Sequence, residues 1–272
     1  MSVAEDAVTA LFVPGDRPDR FEKAARSGAD VVILDLEDAV IPDRKESALA
    51  SVVDALRDGL PAIVRINAVG DAHHDADIAA LRSADAARPG ALLGVMVPKA
   101  SAQRGLTGLE WVHGRCPVIP LIETAEGVES AGRLARHPDV ARIAFGALDF
   151  ASDVGASEPA LFEVVRGALV LASRAARIAA PLESPSPEID DVASVAADAE
   201  RARRFGFGGM LCIHPRQIPV VADGFRPTPA EIEWARRVAG TSGVAQIDGS
   251  MVDRPLVVRA ERILAHAARE SS

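Results

Sequence analysis

The feature that most constrains the fold of this sequence is a regular alternation between short apolar runs and longer amphipathic stretches. Such alternation predicts parallel strands, each followed by a helix that covers the sheet. About eight runs qualify as strands, which is the number that closes a (β/α)₈ barrel. They are Thr9 to Pro14, Val31 to Glu37, Ala62 to Asn67, Leu93 to Lys99, Pro117 to Glu123, Arg142 to Asp149, a weaker one near Pro181 to Ser184, and Gly209 to Pro215.

The stretches between these runs are rich in Ala, Glu and Arg, and their apolar residues recur every three or four positions, which predicts helices. They include Pro42 to Asp58, Glu126 to His137, Pro159 to Ala179 and Asp190 to Phe205. The competing architecture is an open doubly wound sheet. The first strand, however, is followed by PGDRPDR and not by a Gly-x-Gly-x-x-Gly turn, so nothing local supports a dinucleotide site. We therefore predict the α/β class and a (β/α)₈ TIM barrel.

The alternation ends near residue 225, and 272 residues lie within the size range of one barrel plus an appendage. We predict a barrel domain over residues 1–224 and a C-terminal helical extension over residues 225–272. The extension contains a predicted helix from Thr228 to Ala239 and a Gly- and Ser-containing stretch at 240–249.

The charge of this sequence argues against two classes of partner. The net charge is −9 and no block of Lys and Arg compensates for it, which disfavours nucleic acid and anionic membranes. No apolar stretch approaches the roughly 18 residues of a membrane span, and the acidic N-terminal segment lacks the basic region of a signal peptide. We predict a cytoplasmic protein that binds small molecules.

Neither cysteines nor histidines form a recognisable constellation. Cys116 and Cys212 lie in or beside apolar runs without Cys-x-x-Cys spacing, so we predict buried free thiols and no zinc site. His214 follows an apolar run and is predicted to be hydrogen-bonded in the core or at its rim. His73 and His74 stand in a polar segment and are predicted to face solvent.

Polar side chains lie at the ends of five consecutive predicted strands, the second to the sixth. In a barrel of this kind the active site forms at the carboxyl ends of the strands, so this concentration predicts an active site there. The residues are Glu37 and Asp38 after the second strand, Arg65 and Asn67 in the third, Lys99 after the fourth, Glu123 after the fifth and Asp149 after the sixth.

Glu123 and Asp149 are the strongest candidates for a metal site. Carboxylates that end neighbouring strands repel each other unless a cation neutralises them. With no His or Cys nearby, Mg²⁺ is the predicted ion and Mn²⁺ its substitute. Spacing alone equally allows each carboxylate to cap the helix that follows it.

Arg65 and Lys99 each admit a functional and a structural interpretation. Arg65 lies inside an apolar run, and its planar guanidinium suits a carboxylate or enolate oxygen. An internal ion pair with Glu37 or Asp38 is the alternative. For Lys99 a structural salt bridge is favoured over a Schiff-base role.

Beyond these residues, segments along nearly the whole chain resemble the HpcH/HpaI aldolase and citrate lyase β-subunit-like family. They occur in the order in which that family carries them. The matching segments are LFVPGDRPDRFEKA, DVVILDLEDAV followed by Lys45, VRIN, VPKA, PLIETAEG, FGALDF, GFGGMLCIHPRQI and GSMVD.

The resemblance implies a barrel of the phosphoenolpyruvate/pyruvate type, a homotrimer, and carbon–carbon cleavage or formation of a CoA thioester such as citryl-, malyl- or citramalyl-CoA. Matched by position, the resemblance implies that Glu123 and Asp149 would be the Mg²⁺ ligands and that Glu123 would also contact substrate. Arg65 would hold the carboxylate or carbonyl of the 2-oxo acid and act in catalysis. Glu37 and Asp38 would bind on the substrate side and orient water on the ion.

Two further assignments depend on the resemblance alone. Asp253 in GSMVD matches an aspartate that a neighbouring subunit's C-terminal segment brings over the active site as the acid/base, so residues 225–272 would act as a lid on that subunit. Lys23 matches a lysine that contacts CoA, although a solvated helix face is the alternative.

Two departures from the family affect the substrate. The segment APLESPSPEIDD replaces an Ile-Asp-containing seventh strand, and Met210 stands where Gly-Lys is frequent. The alternatives are therefore a metal-dependent aldolase of 2-oxo acids that uses no CoA, and a hydroxyacyl-CoA thioesterase on the same site. A barrel retained only for binding is disfavoured by the joint presence of Glu123, Asp149 and Arg65.

Overall fold

The computed structural model describes residues 2–103, 105–239, 245–247, 250–252 and 254–269. Contacts divide the chain into two compact units, residues 1–224 and 225–272. In the first unit eight strands, β1 to β8, form a closed barrel in chain order, and β1 pairs in parallel with both β2 and β8. Helices lie between the strands, which confirms the predicted (β/α)₈ barrel.

The barrel strands are β1 Thr9–Pro14, β2 Val31–Asp35, β3 Ala62–Arg65, β4 Leu92–Val97, β5 Val118–Ile122, β6 Ala144–Phe145, β7 Leu182–Glu183 and β8 Gly209–Cys212. The helices up to the end of the barrel are α1 Val3–Asp6, α2 Phe21–Ala25, α3 Lys45–Arg57, α4 His74–Ala87, α5 Ala125–Leu134, α6 Ala147–Val154, α7 Pro159–Ala176, α8 Val192–Phe205 and α9 Gln217–Phe225. Short 3₁₀ turns occur at Pro18–Arg20, Pro42–Arg44 and Glu110–Val112.

The sixth strand is much shorter than predicted. Its run was expected to reach Asp149, but the strand ends at Phe145 and Asp149 lies in the first turn of α6. Apolar residues alone do not separate strand from helix in so short a run. Gly146 interrupts the ladder, and after it Phe150 is buried while Leu148 is 83% exposed, the one-sided burial of a surface helix.

The barrel interior is filled by alternate residues of the strands. Buried Ile33, Ile63, Leu121, Ala144 and Leu182 belong to one apolar cluster, together with residues of the other strands. Side chains in a strand alternate between its two faces, so the residues two positions further along point the same way. Those residues are Asp35, Arg65, Glu123, Gly146 and Ser184. The carboxyl end of the barrel is called the barrel mouth below. The inward-facing side chains of most of these strands change there from apolar to polar within two residues.

The opposite end, called the barrel floor below, is closed by a buried arginine. Arg142 precedes β6, is 1% exposed, and donates to the carbonyl oxygens of Ala180 at 2.6 Å and Ala7 at 2.5 Å. A third carbonyl, of Ala4, lies 3.5 Å from Nη1. These carbonyls precede β7 and β1, so Arg142 joins the N-terminal segment to the base of the barrel.

His74 corrects a prediction from the sequence. It was expected to face solvent, but it is buried on α4 and its Nδ1 lies 2.8 Å from the carbonyl oxygen of Asn67. The polar segment turns its first helical residue inward because α4 packs against α3 and β4. Cys116 and Cys212 are free and buried as predicted, and burial raises the pKa of each thiol to about 12.

The second unit contains α10 Pro229–Ala239, the antiparallel strands β9 Ala245–Ile247 and β10 Ser250–Val252, and α11 Arg254–Arg269. The two helices pack through buried Ala235, Val238 and Ala260, and Arg259 stacks on Trp234. In the part of the chain that the structure describes, helices long and apolar enough to cross a membrane are absent.

Candidate active site

The side chain at the centre of the barrel mouth is Arg65, at the end of β3. Its Nε and Nη2 donate to the two carboxylate oxygens of Asp35 at 2.7 and 2.6 Å, and its guanidinium lies 4.7 Å from the ring centre of Phe12. The sequence predicted an ion pair with Glu37 or Asp38 and overlooked Asp35. A signal for Asp35 was present, because it is an acid on the inward-facing alternation of β2.

Glu37 and Asp38 surround the remaining side of this guanidinium. Glu37 Oε2 lies 3.1 Å from Arg65 Nη1, and Glu37 Oε1 accepts a short hydrogen bond from the ammonium of Lys99. Asp38 is exposed and more distant, at 3.8 Å from Arg65 and 3.7 Å from Lys99 Nζ. Both predicted carboxylates therefore join the same cluster, and Lys99 has the salt bridge that its sequence context favoured.

Lys99 also contributes its backbone. It adopts a left-handed conformation, with φ of +49°, and its N–H donates to Glu123 Oε1 at 2.8 Å. Such a conformation is costly for a residue other than glycine and is found at functional sites. Residue type gives no warning of this contact, because the donor belongs to the main chain.

Lys45 and Asn67 support the loop that carries Glu37 and Asp38. Lys45 Nζ donates to the carbonyl oxygens of Leu36 and Glu37 and to Asn67 Oδ1, at 2.6 to 2.7 Å. Asn67 in turn donates from both its nitrogens to Asp77 Oδ2. Asn67 was predicted at the strand end among the candidate polar residues, and the structure gives its side chain to this supporting network.

Glu123 ends the alternation of β5 and is 1% exposed. The helix that follows is capped by Thr124, whose Oγ1 accepts from the Gly127 N–H at 3.0 Å. Glu123 is thus not the helix cap that spacing alone allowed. Its carboxylate instead faces the backbone and ammonium of Lys99.

Gly146 makes the room that Glu123 occupies. A Cβ at position 146 would lie 2.5 Å from Glu123 Oε2 and 2.8 Å from Glu123 Cβ, closer than such atoms come in proteins. The glycine of the FGALDF motif, which carries Asp149, is therefore required for a steric reason. Asp149 is half-buried three residues later, in the first turn of α6.

The electrostatics of the cluster show an excess of negative charge around Glu123. Burial, followed by the charges of Glu37 and Asp149, raises the pKa of Glu123 to about 8. Burial also raises the pKa of Glu37 to about 7, against the opposing effects of Arg65 and Lys99. Buried carboxyl groups whose pKa values are raised this far are disfavoured as anions unless a nearby cation compensates their charge.

This donor set fits a hard divalent cation. Glu123 and Asp149 offer oxygen atoms only, which suits Mg²⁺ or Mn²⁺. Among the residues that the structure describes there is no group of three or more His, Cys, Asp and Glu able to enclose an ion. A cation at this site would have two protein carboxylates and leave its other positions to water and substrate, as Mg²⁺ sites commonly do.

Lys23, a further predicted residue, is exposed on α2. Asp253 lies outside the described residues. His214 follows β8 along the chain and is half-buried, and its Nδ1 accepts from the Arg216 N–H.

The seventh strand carries one acidic residue, Glu183. Glu183 is buried and pairs with Arg166 of α7, with Nε 2.7 Å from Oε2, and Arg166 stacks over Phe145. The carboxylate of Glu183 is neutralised by Arg166 and is not part of the charged cluster around Arg65.

Comparison with known proteins shows which family this chain resembles in sequence. A model of the family described as HpcH/HpaI aldolase/citrate lyase matches residues 9–215. A citrate lyase subunit beta-like protein of Mycobacterium tuberculosis is 37% identical over 96% of each chain. A (3S)-malyl-CoA thioesterase of Cereibacter sphaeroides is 30% identical, over 94% of this chain and 93% of its own.

Solved structures of related proteins are similar to this chain in both fold and sequence. The protein CitE from Mycobacterium tuberculosis, in complex with magnesium, acetoacetate and coenzyme A, superposes with a TM-score of 0.84 and 35% identity over 97% of this chain and 98% of its own. A citrate lyase beta subunit from the same organism, complexed with oxaloacetate and magnesium, gives a TM-score of 0.72 and 36% identity over 84% of this chain and 100% of its own. The closed parallel barrel, its charged mouth and the matching of residues 9–215 together show that this chain belongs to the HpcH/HpaI aldolase/citrate lyase family and to its carbon–carbon lyases.

Proposed function

We propose that this protein is a Mg²⁺-dependent lyase that cleaves or forms a β-hydroxyacyl-CoA, with a 2-oxo acid and an acyl-CoA as the other partners. The observation that carries this proposal is the buried carboxylate of Glu123. It packs on Gly146, and its charge interacts with the charges of Asp149 and Arg65. Relatives whose structures contain magnesium, coenzyme A and small oxo acids support the same assignment.

Glu123 and Asp149 would hold the ion, either Mg²⁺ or Mn²⁺. When bound, the cation would neutralise the two carboxylates and stabilise negative charge that develops on substrate oxygens. The Lys99 N–H fixes one oxygen of Glu123, so this carboxylate presents its other oxygen in a defined direction.

Arg65 would bind the carboxylate or carbonyl of the 2-oxo acid. Asp35 accepts from Nε and from one N–H of Nη2. Substrate would therefore bind to the second N–H of Nη2 and to Nη1, where it would share the guanidinium with Glu37, whose Oε2 lies 3.1 Å from Nη1. Because Asp35 and the ring of Phe12 fix the plane of the guanidinium, little reorganisation is needed when charge develops on substrate.

Glu37 and Asp38 would complete the substrate side of the site and orient water there, and Lys99 would keep Glu37 in place through its ammonium. In the cleavage direction a base removes the proton of the substrate hydroxyl. The carbon–carbon bond then breaks, its electron pair forms the enolate of the acyl-CoA, and proton return to that carbon completes the step. We propose Asp253 for this acid/base role, delivered by residues 225–272 of a neighbouring subunit of a homotrimer.

CoA would enter as part of the substrate, and we propose Lys23 as a contact for its phosphates because Lys23 is exposed near the end of β1. We also propose a cytoplasmic location, in keeping with the use of a CoA thioester.

Thioester hydrolysis is the second candidate function. It is favoured by the relative named (3S)-malyl-CoA thioesterase, which matches nearly the whole chain. Water would then attack the thioester carbonyl on the same charged mouth. A CoA-independent aldolase of 2-oxo acids would use the same residues without a thioester.

The test is an assay of the purified chain with Mg²⁺ on malyl-, citramalyl- and citryl-CoA, read out by mass spectrometry of both products. We expect a 2-oxo acid and acetyl-CoA in equal amounts, with turnover lost in Glu123→Ala and kept in Glu129→Ala, an exposed glutamate of α5. Free CoA with an intact hydroxy acid would instead identify a thioesterase. Cleavage of none of the three thioesters would favour the CoA-independent aldolase.

A further inference from the structure

The helix that carries Asp149 cannot cap itself. Its N-cap position is Gly146, which must be glycine because Glu123 fills the space of a side chain there. The first N–H groups of a helix have no partner within the helix, and a capping side chain normally accepts from one of them. In α6 the N-cap residue has no side chain that could supply this acceptor.

Ser184 supplies that acceptor from the neighbouring strand. It follows β7 directly, is buried, and its Oγ accepts from the Ala147 N–H, the first of α6, at 3.0 Å. Ser184 lies on the inward-facing alternation of β7, two residues beyond Leu182 of the barrel core.

A second cap runs in the opposite direction, from α6 to α5. Asp153, near the end of α6, accepts from the Ala125 N–H through Oδ2 at 2.8 Å. Ala125 is the first residue of α5, only two positions after Glu123. The helix that carries Asp149 is thus held by the end of β7 at its first residue, and by the start of α5, just after Glu123, near its last turn.

We infer that Ser184 and Asp153 are positioning residues, which hold Glu123 and Asp149 at the separation that a divalent cation requires. The inference rests on the proposed metal site. Ion affinity depends on ligands being held within a few tenths of an ångström, and side chains that orient ligands contribute strongly to it. If α6 loses its cap, its first turn, with Asp149 in it, gains freedom that binding must remove.

Two matched controls separate positioning from general stabilisation. Ser186 is a buried serine in the same segment as Ser184, and its Oγ has no hydrogen-bond partner among the described residues. Asp191 caps α8 by accepting from the Ala193 and Ser194 N–H groups, far along the chain from either carboxylate. Both controls remove the same atoms as the test variants without touching α6.

The experiment titrates Mn²⁺ into the metal-free full-length chain and follows free Mn²⁺ by electron paramagnetic resonance. We expect Kd to rise about tenfold in Ser184→Ala and in Asp153→Ala. We expect it to be unchanged in Ser186→Ala and Asp191→Ala, with circular dichroism showing all four variants folded.

Wild-type affinity in Ser184→Ala and Asp153→Ala would overturn the inference and leave the proposed metal site standing. An equal loss of affinity in the two controls would also overturn it, because the effect would then be one of stability. Absence of Mn²⁺ binding by the wild-type chain would overturn the metal site itself. Asp153 is exposed, so its variant keeps the test open should a buried alanine at 184 prevent folding.

Discussion

Two buried arginines lie at opposite ends of the same barrel, and their surroundings differ completely. At the mouth, Arg65 is held by the carboxylates of Asp35 and Glu37. At the floor, Arg142 is held by neutral carbonyl oxygens, including those of Ala7 and Ala180. The residue type and the degree of burial are similar, so the difference lies in what each end of the barrel has to do.

Their protonation follows the same contrast. Burial by itself would lower the pKa of Arg65, but hydrogen bonds and charge from Asp35, and then the charge of Glu37, raise it. Burial lowers the pKa of Arg142 to about 9, since Asp6 and Asp30 compensate only in part. The floor is organised to close the barrel. The mouth concentrates charge beyond what folding requires, which is typical of a site that binds a charged ligand.

The sharpest test of this contrast makes the same substitution at both ends. Arg65→Lys keeps a positive charge but cannot hold Asp35 with two parallel hydrogen bonds and still offer Nη1 to substrate. We expect kcat/KM on the preferred thioester to fall roughly 100-fold, measured by steady-state kinetics with saturating Mg²⁺. An unchanged kcat/KM would remove Arg65 from the site.

At the floor, Arg142→Lys should act on stability. One ammonium cannot satisfy the carbonyls of Ala180 and Ala7 in the way that the guanidinium does, and a buried carbonyl without a donor is costly. We expect the free energy of unfolding in urea to fall by about 2–3 kcal/mol, while kcat per folded molecule is retained. Lost activity in a fully folded variant would contradict the division between floor and mouth.

A pair of glycines provides a smaller and equally matched comparison. A Cβ at position 146 would lie 2.5 Å from Glu123 Oε2, and one at position 208 would lie 2.8 Å from Arg142 Nη2. Gly146→Ala should weaken Mn²⁺ binding and turnover, and Gly208→Ala should lower the unfolding free energy by about 1–2 kcal/mol with Mn²⁺ affinity intact. Isothermal titration and urea unfolding of both variants distinguish the two outcomes. Equal effects on metal affinity would show that the two ends are coupled.

The raised pKa of Glu123 predicts a pH dependence of stability in the metal-free protein. The pKa of Glu123 is raised from 4.5 to about 8, so between these values the folded protein holds a proton that the unfolded chain has released. Its contribution to stability is therefore complete below about pH 4.5 and disappears as pH rises through about 8.

Urea unfolding in EDTA at pH 5.5 and 8 measures this effect. We expect the wild-type unfolding free energy to fall on the order of 2 kcal/mol across this range, with Glu37 acting in the same direction. Glu123→Gln carries no ionisable group at this position and should have a flatter profile. A profile as steep in Glu123→Gln as in the wild type would assign the dependence to other groups.

The sequence by itself determined the barrel, because alternating strand and helix patterns report local burial, and local burial depends on neighbouring residues along the chain. It also determined which strand ends are polar, so that Glu37, Asp38, Arg65, Lys99 and Glu123 were found together at the mouth. It failed where pattern is ambiguous: Asp149 was predicted at the end of a strand and lies in a helix, and His74 was predicted exposed and is buried.

Only the tertiary structure decided which partner each of these side chains meets. Asp35 takes the guanidinium of Arg65 from 30 residues away, the Lys99 main chain holds Glu123, and Ser184 caps a helix that begins 37 residues before it. None of these pairs has a signature in residue spacing, because closure of the barrel, and not distance along the chain, brings the strand ends together. The sequence pattern therefore placed these charged residues at the barrel mouth, and packing in three dimensions arranged their contacts.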